Sequence, residues 1–137
     1  VSPDPLSPRF SPFADYLGMV SSDGRTIFVT PQPEHANYAG MAHGGFLMTL
    51  LDTATGRATR ADLPADKYGV TTSFTTTFVR GAKIGEELRA SAEVRHLGRQ
   101  VLSVTADVHR VRDGALVAHA VSSMTVLDWA DRPAGTR

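Results

Sequence analysis

No cysteine occurs among the 137 residues, which removes disulfide scaffolds, thiolate nucleophiles and cysteine-held zinc or iron–sulfur centres. Long hydrophobic runs are missing as well. The longest apolar stretch, around Phe46 to Leu51, is broken by Thr49 and is far too short to span a bilayer, so a soluble chain without a membrane partner is expected. Nor is there an excess of either charge: 14 basic side chains balance 14 acidic ones, and neither sign gathers into a block. Nothing therefore draws nucleic acid, and an anionic ligand must be held by local charges. The opening Val1-Ser-Pro-Asp-Pro-Leu-Ser-Pro lacks a basic region followed by an apolar core, so no secretory signal is expected. Together with the lack of cysteine, this favours a cytoplasmic location.

What is present fits one domain over residues 1–137, a length that buries a continuous core unaided. Pro3, Pro5, Pro8 and Pro12 keep the first dozen residues out of regular helix, predicting an extended arm over 1–12, followed by a helical turn or two at Phe13 to Leu17. Met19-Val20 and Thr26 to Val29 flank the turn-forming Ser21-Ser-Asp-Gly24, which predicts a hairpin. Leu47, Leu50, Leu51, Ala54 and Ala58 then recur at helical spacing, predicting one long helix from about Gly44 to Ala61 that stops before Pro64. Strands follow at Gly69 to Val79, Leu88 to Leu97, Val101 to Val111 and Leu116 to Leu127, with turns at Gly98-Arg99-Gln100 and Arg112-Asp113-Gly114. This order predicts an α+β fold in which an antiparallel sheet wraps a single helix.

The string Asn37-Tyr-Ala-Gly-Met-Ala-His43-Gly44-Gly45-Phe-Leu-Met-Thr-Leu-Leu-Asp52 carries the chemistry. A glycine pair opening a helix lets a ligand approach the unpaired N–H groups and the positive end of the helix dipole. Held there, a carbonyl is polarised, and the Gly44 N–H can stabilise the charge of a tetrahedral intermediate. Asp52 lies two turns on, off the leucine stripe and beside Gly45, Met48, Thr49, Thr55 and Gly56. Glycine at 56 suggests close approach by another backbone, and a carboxylate in so apolar a setting needs a role or a partner. Gly44 and Asp52 of one chain stand about 12 Å apart along the helix, at ~1.5 Å per residue. Two antiparallel copies related by a two-fold axis bring Gly44 of one to Asp52 of the other, so the expectation is a homodimer with shared sites.

The spacing of Asn37, five residues, His43-Gly44-Gly45, six residues and Asp52 resembles the signature of the PaaI-type phenylacetyl-CoA and medium-chain acyl-CoA thioesterases of the hotdog superfamily. The likeness extends through Gly69-Val70-Thr71-Thr72 and Gly85. It implies a hotdog fold and hydrolysis of an aromatic or medium-chain acyl-CoA to free acid and CoA, without a cofactor. Asp52 would activate water or attack directly, Gly44 would supply the oxyanion N–H, Asn37 would hold thioester or water, and Thr71 would bond near the carboxylate. It also implies dimers that pair Asn37 and Gly44 of one subunit with Asp52 and Thr71 of the other, and an association of two such dimers. Arg80-Gly81 departs from the pattern, standing where many relatives carry a proline near the pantetheine tunnel.

His43, Gly45 and Phe46 are expected at the substrate site, with Met48, Phe74 and Phe78 as further walls of the acyl pocket. Arg80, Lys83 and Arg99 are candidate partners for the phosphates of CoA. His43 carries the side chain most often used as a general base, but the carboxylate already supplies a base, so a structural role is preferred for it. His35, His96, His109 and His119 show no metal-ligand spacing with nearby carboxylates, and no metal is expected. Two other functions fit the same architecture. A hydratase or dehydratase would need a paired acid and base for a proton at Cα, and a non-catalytic acyl-CoA-binding protein would keep the pocket without the carboxylate.

Overall fold

A computed structural model describes residues 11–133. The expected extended arm therefore lies, for residues 1–10, outside the described residues. At its end Pro12 does not block helix but begins one, α1 (Pro12–Tyr16). Proline is tolerated at the first helical position because the N–H it lacks would be unpaired there anyway, and Ser11 caps the turn by accepting from the Ala14 N–H at 3.2 Å. The anticipated hairpin is likewise reduced. Only β1 (Ile27–Val29) is a strand, and Val20 meets Phe28 through one isolated antiparallel bridge. Asp23 explains the loss of pairing: its Oδ1 accepts from the backbone of Arg25 and Thr26, folding the turn on itself.

The long helix α2 (Gly44–Asp62) ends just before Pro64, as the spacing requires. Its stripe of Leu47, Leu50, Leu51, Ala54 and Ala58 is buried against the sheet. Each leucine so buried contributes roughly 1.5–3 kcal/mol. The sheet consists of β1, β2 (Lys67–Phe78), β3 (Leu88–Leu97), β4 (Val101–Arg110) and β5 (Leu116–Asp128), in the order β1-β3-β4-β5-β2 and antiparallel throughout. Leu88 and Ala90 of β3, Val104, Ala106 and Val108 of β4, and Ala118 and Ala120 of β5 are buried at alternate positions. The alanines among them leave the helix room to lie close. A sheet wrapped round one central helix is the hotdog architecture.

Two features of this arrangement bear on the site. β2 lies at the edge of the sheet and runs antiparallel to α2. Thus Phe78 lies beside Gly44, Thr71 beside Asp52, and Gly69 beside Thr59. And among the described residues no backbone from outside the helix closes on Gly56, where an added Cβ would meet nothing within 4 Å.

Candidate active site

Asp52 is exposed on α2 and receives a hydrogen bond of 2.8 Å from the Thr71 hydroxyl to its Oδ1. The two residues line a cavity of ≈ 430 Å³ together with Phe13, Met48 and Phe74. Other hydroxyls stand in the same wall but are committed elsewhere. Thr49 Oγ1 donates to the Gly45 carbonyl and Thr53 Oγ1 to the Thr49 carbonyl, each four residues back along the helix. Thr71 is thus the hydroxyl that holds Asp52, and it reaches across from the sheet.

The first turn of α2 is organised by its cap. His43 Nδ1 accepts from the Gly45 N–H at 2.8 Å, which satisfies one of the orphan donors at the helix start. His43 thus caps the helix, and the Gly45 N–H is occupied. The Gly44 N–H has no partner among the described residues, and Gly44 lines an open cavity. Asn37 shapes the preceding loop: its Oδ1 accepts from the Ala39 N–H at 2.9 Å and the Met41 N–H at 3.1 Å. Only its NH₂ group is left for a ligand.

Asn37, Gly44 and Arg80 line a second cavity, of ≈ 360 Å³, with Phe78 and Gly81. Lys83 lies close by, because Met41 bridges to Lys83 and the Ala42 N–H bonds the Ala82 carbonyl. His43, Gly45 and Phe46 line a third cavity, of ≈ 230 Å³, where the Phe46 ring stacks on His35 at 4.6 Å. Asp52 and Gly44 therefore open into different cavities of one chain, as the helix geometry requires.

Arg99 joins neither. It sits in the turn between β3 and β4, where the Gln100 carbonyl accepts from the Val126 N–H, whereas Arg80 follows Phe78, the partner of Ala118. The eight steps from residue 118 to residue 126 along β5 amount to roughly 27 Å at about 3.4 Å each. Within one chain Arg99 thus lies apart from Arg80 and Lys83. Phe13 is the wall residue that the sequence did not reveal. It reaches the Asp52 cavity from α1, a long-range contact that no local pattern announces.

A family model, the thioesterase superfamily, matches residues 39–117, which hold α2, β2, β3 and β4. The chain belongs to the thioesterase superfamily. It is a thioester hydrolase of the hotdog fold. Among solved structures it resembles a Bacillus halodurans protein crystallised with CoA, at 33% identity and a TM-score of 0.76, covering 84% of this chain and 75% of that one. It also resembles the Escherichia coli PaaI protein of the phenylacetic acid degradation operon, at 26% identity and a TM-score of 0.74, covering 84% and 83%. Mouse acyl-coenzyme A thioesterase 13 is 30% identical over 90 residues, which are 64% of this chain and 61% of the mouse protein. Among the described residues no helix is long and apolar enough to cross a membrane, and no group of His, Asp or Glu side chains is disposed to hold a metal.

Proposed function

We propose that this thioesterase hydrolyses an acyl-CoA with an aromatic or medium-chain acyl group, using Asp52 as general base or nucleophile and the Gly44 N–H as oxyanion donor. The observation that carries this reading is the Thr71–Asp52 hydrogen bond inside a cavity walled by Phe13, Met48 and Phe74. Thr71 fixes the carboxylate, the apolar walls receive the acyl group, and the remaining lone pairs of Asp52 face the thioester carbon or its attacking water. In the base-assisted course, water adds to the carbonyl as Asp52 takes its proton. The C–S bond then breaks and the proton passes to the departing CoA thiolate. The Gly44 N–H and the Asn37 NH₂ bond the oxygen and the incoming substrate, and Arg80 and Lys83 meet the phosphates. The CoA bound to the Bacillus halodurans protein supports this ligand class.

The reading includes a homodimer with two shared sites, and a dimer of dimers. Met48, midway between Gly44 and Asp52, is 37% exposed. A two-fold axis passing there sets Gly44 and Asn37 of one chain against Asp52 and Thr71 of its partner. The free edge of β2 beside α2, with Val70, Phe78 and Val79 exposed, offers such a partner an apolar, strand-shaped surface.

A panel of acyl-CoAs with a thiol-trapping dye tests the activity: aromatic or medium-chain substrates are expected to release thiol, and silence across the panel counts against the reading. Subunit mixing tests the geometry. Asn37→Asp keeps the oxygen that shapes the loop and removes the NH₂ donor. Mixed with Asp52→Ala under exchange, it is expected to restore one working site per heterodimer, and no recovery despite demonstrated exchange refutes shared sites.

A further inference from the structure

The edge strand β2 changes face halfway along. In a regular strand, residues an even number apart share a face and those an odd number apart do not. Yet Gly69, Thr71, Phe74 and Phe78 all turn toward α2. A Cβ on Gly69 would stand 2.8 Å from Thr59 Cγ2, and one on Gly44 would stand 3.3 Å from Phe78 Cζ. Thr71 bonds Asp52, and Phe74 lines the same cavity. Two odd and two even positions thus face the helix.

The register explains how. Thr71 pairs with Met124 and Ser73 with Ser123, so Thr72 has no cross-strand partner and forms a β-bulge. Met124 and Ser122 are both buried, and they pair with Thr71 and Phe74 respectively. Without the extra residue, either Thr71 or Phe74 would turn away from Asp52, because a one-residue slip flips every side chain beyond it. The bulge is fastened at its apex, where Thr72 Oγ1 donates to the Ser123 carbonyl at 3.0 Å. This bond points inward to β5, away from the free edge.

We infer that Thr72 is a positioning residue for the Asp52–Thr71 pair: its hydroxyl pins the bulge that turns Thr71 and Phe74 to the same side of β2. The inference rests on the proposed site. Thr72 touches neither Asp52 nor the cavity and acts through the backbone it fastens. A bulge serving only to bend the strand would not need its hydroxyl for the state of Asp52.

The test follows the side-chain carboxyl resonance of Asp52 in protein labelled with ¹³C-aspartate, assigned by its loss in Asp52→Asn. Thr71→Val removes the direct hydrogen bond and sets the full displacement. Thr72→Val, which keeps the shape and strand preference of threonine, is expected to displace the resonance in the same direction. Thr72→Ala should do likewise, Thr72→Ser should restore the original position, and Thr71→Val/Thr72→Val should move it no further than Thr71→Val alone. In turnover, kcat of Thr72→Val should fall by about three- to ten-fold with KM unchanged, the size of one lost neutral hydrogen bond. An unmoved resonance in the Val and Ala variants, or displacements that simply add in the double variant, overturns the inference. If the unaltered protein releases no thiol from any acyl-CoA, the functional reading fails, and the resonance still decides the role of Thr72.

Discussion

Asp23 and Asp52 are both exposed carboxylates, and the chain binds them to opposite ends. Asp23 Oδ1 accepts from the Ser21 hydroxyl and from the backbone N–H groups of Arg25 and Thr26. These bonds hold its pKa down at about 2, the backbone bonds to Arg25 and Thr26 contributing most. The turn so closed presents the Gly24 carbonyl to Arg57 Nε of α2 at 2.7 Å. Asp52 accepts one hydrogen bond among the described residues, from Thr71, and otherwise faces a cavity with apolar walls. Asp23, its Oδ1 engaged by three bonds within its own turn, is a fastening. A carboxylate held by a single hydroxyl at the mouth of a cavity has lone pairs left for a reacting molecule.

Replacing each carboxylate should therefore damage a different property. Asp52→Asn, nearly isosteric, is expected to lower kcat by at least ~100-fold, in the range general-base removal produces. It should leave Tm within a degree or two, since an exposed group with one bond supports little of the fold. Asp23→Ala should do the reverse, lowering Tm by roughly 5 °C through the lost turn bonds while kcat stays unchanged. Steady-state thiol release and a thermal melt on the same two proteins measure both. A large loss of kcat in Asp23→Ala, or a large loss of Tm in Asp52→Asn, breaks the distinction.

The surroundings of the two aspartates also differ in how much of them the amino-acid string exposes. The extent of α2 and the distance from Gly44 to Asp52 were legible because helical periodicity is local: Leu47, Leu50 and Leu51 announce the buried face, and Pro64 marks the end. Membership of the family was legible from the Asn37 to Asp52 spacing. The bulge at Thr72 was not, because β2 is so rich in threonine that either face looks equally suitable, and the phase change is set by pairing with β5. Phe13 was hidden for a similar reason, since its contact with the Asp52 cavity depends on how α1 packs. The separation of Arg99 from Arg80 and Lys83 was hidden too, because only strand register reveals that the β3–β4 turn lies far from the end of β2. Pro12 misled in the opposite direction. Proline breaks a helix from within and starts one from its first position, and only the Ser11 cap distinguishes the two.

Acid offers a milder way to separate the two aspartates. The folded pKa of Asp23 is depressed to about 2 from 3.8, so its turn bonds contribute stability that is fully present above the unfolded value. That contribution is lost as pH falls through about 2. The sign follows from proton counting: between the two values the unfolded chain holds more protons at this position, so lowering the pH favours unfolding. The side chain is largely in solvent, so screening keeps the effect small. In melts from pH 6 to pH 2, the difference in Tm between the unaltered protein and Asp23→Asn should be constant above about pH 5 and should narrow steadily below pH 4. The substituted amide cannot titrate, so the variant removes this one contribution from a background that both proteins share. A gap that stays the same width to pH 2 would mean that the bonds to Arg25 and Thr26 do not depend on the charge of Asp23, and the contrast with Asp52 would then rest on bond number alone.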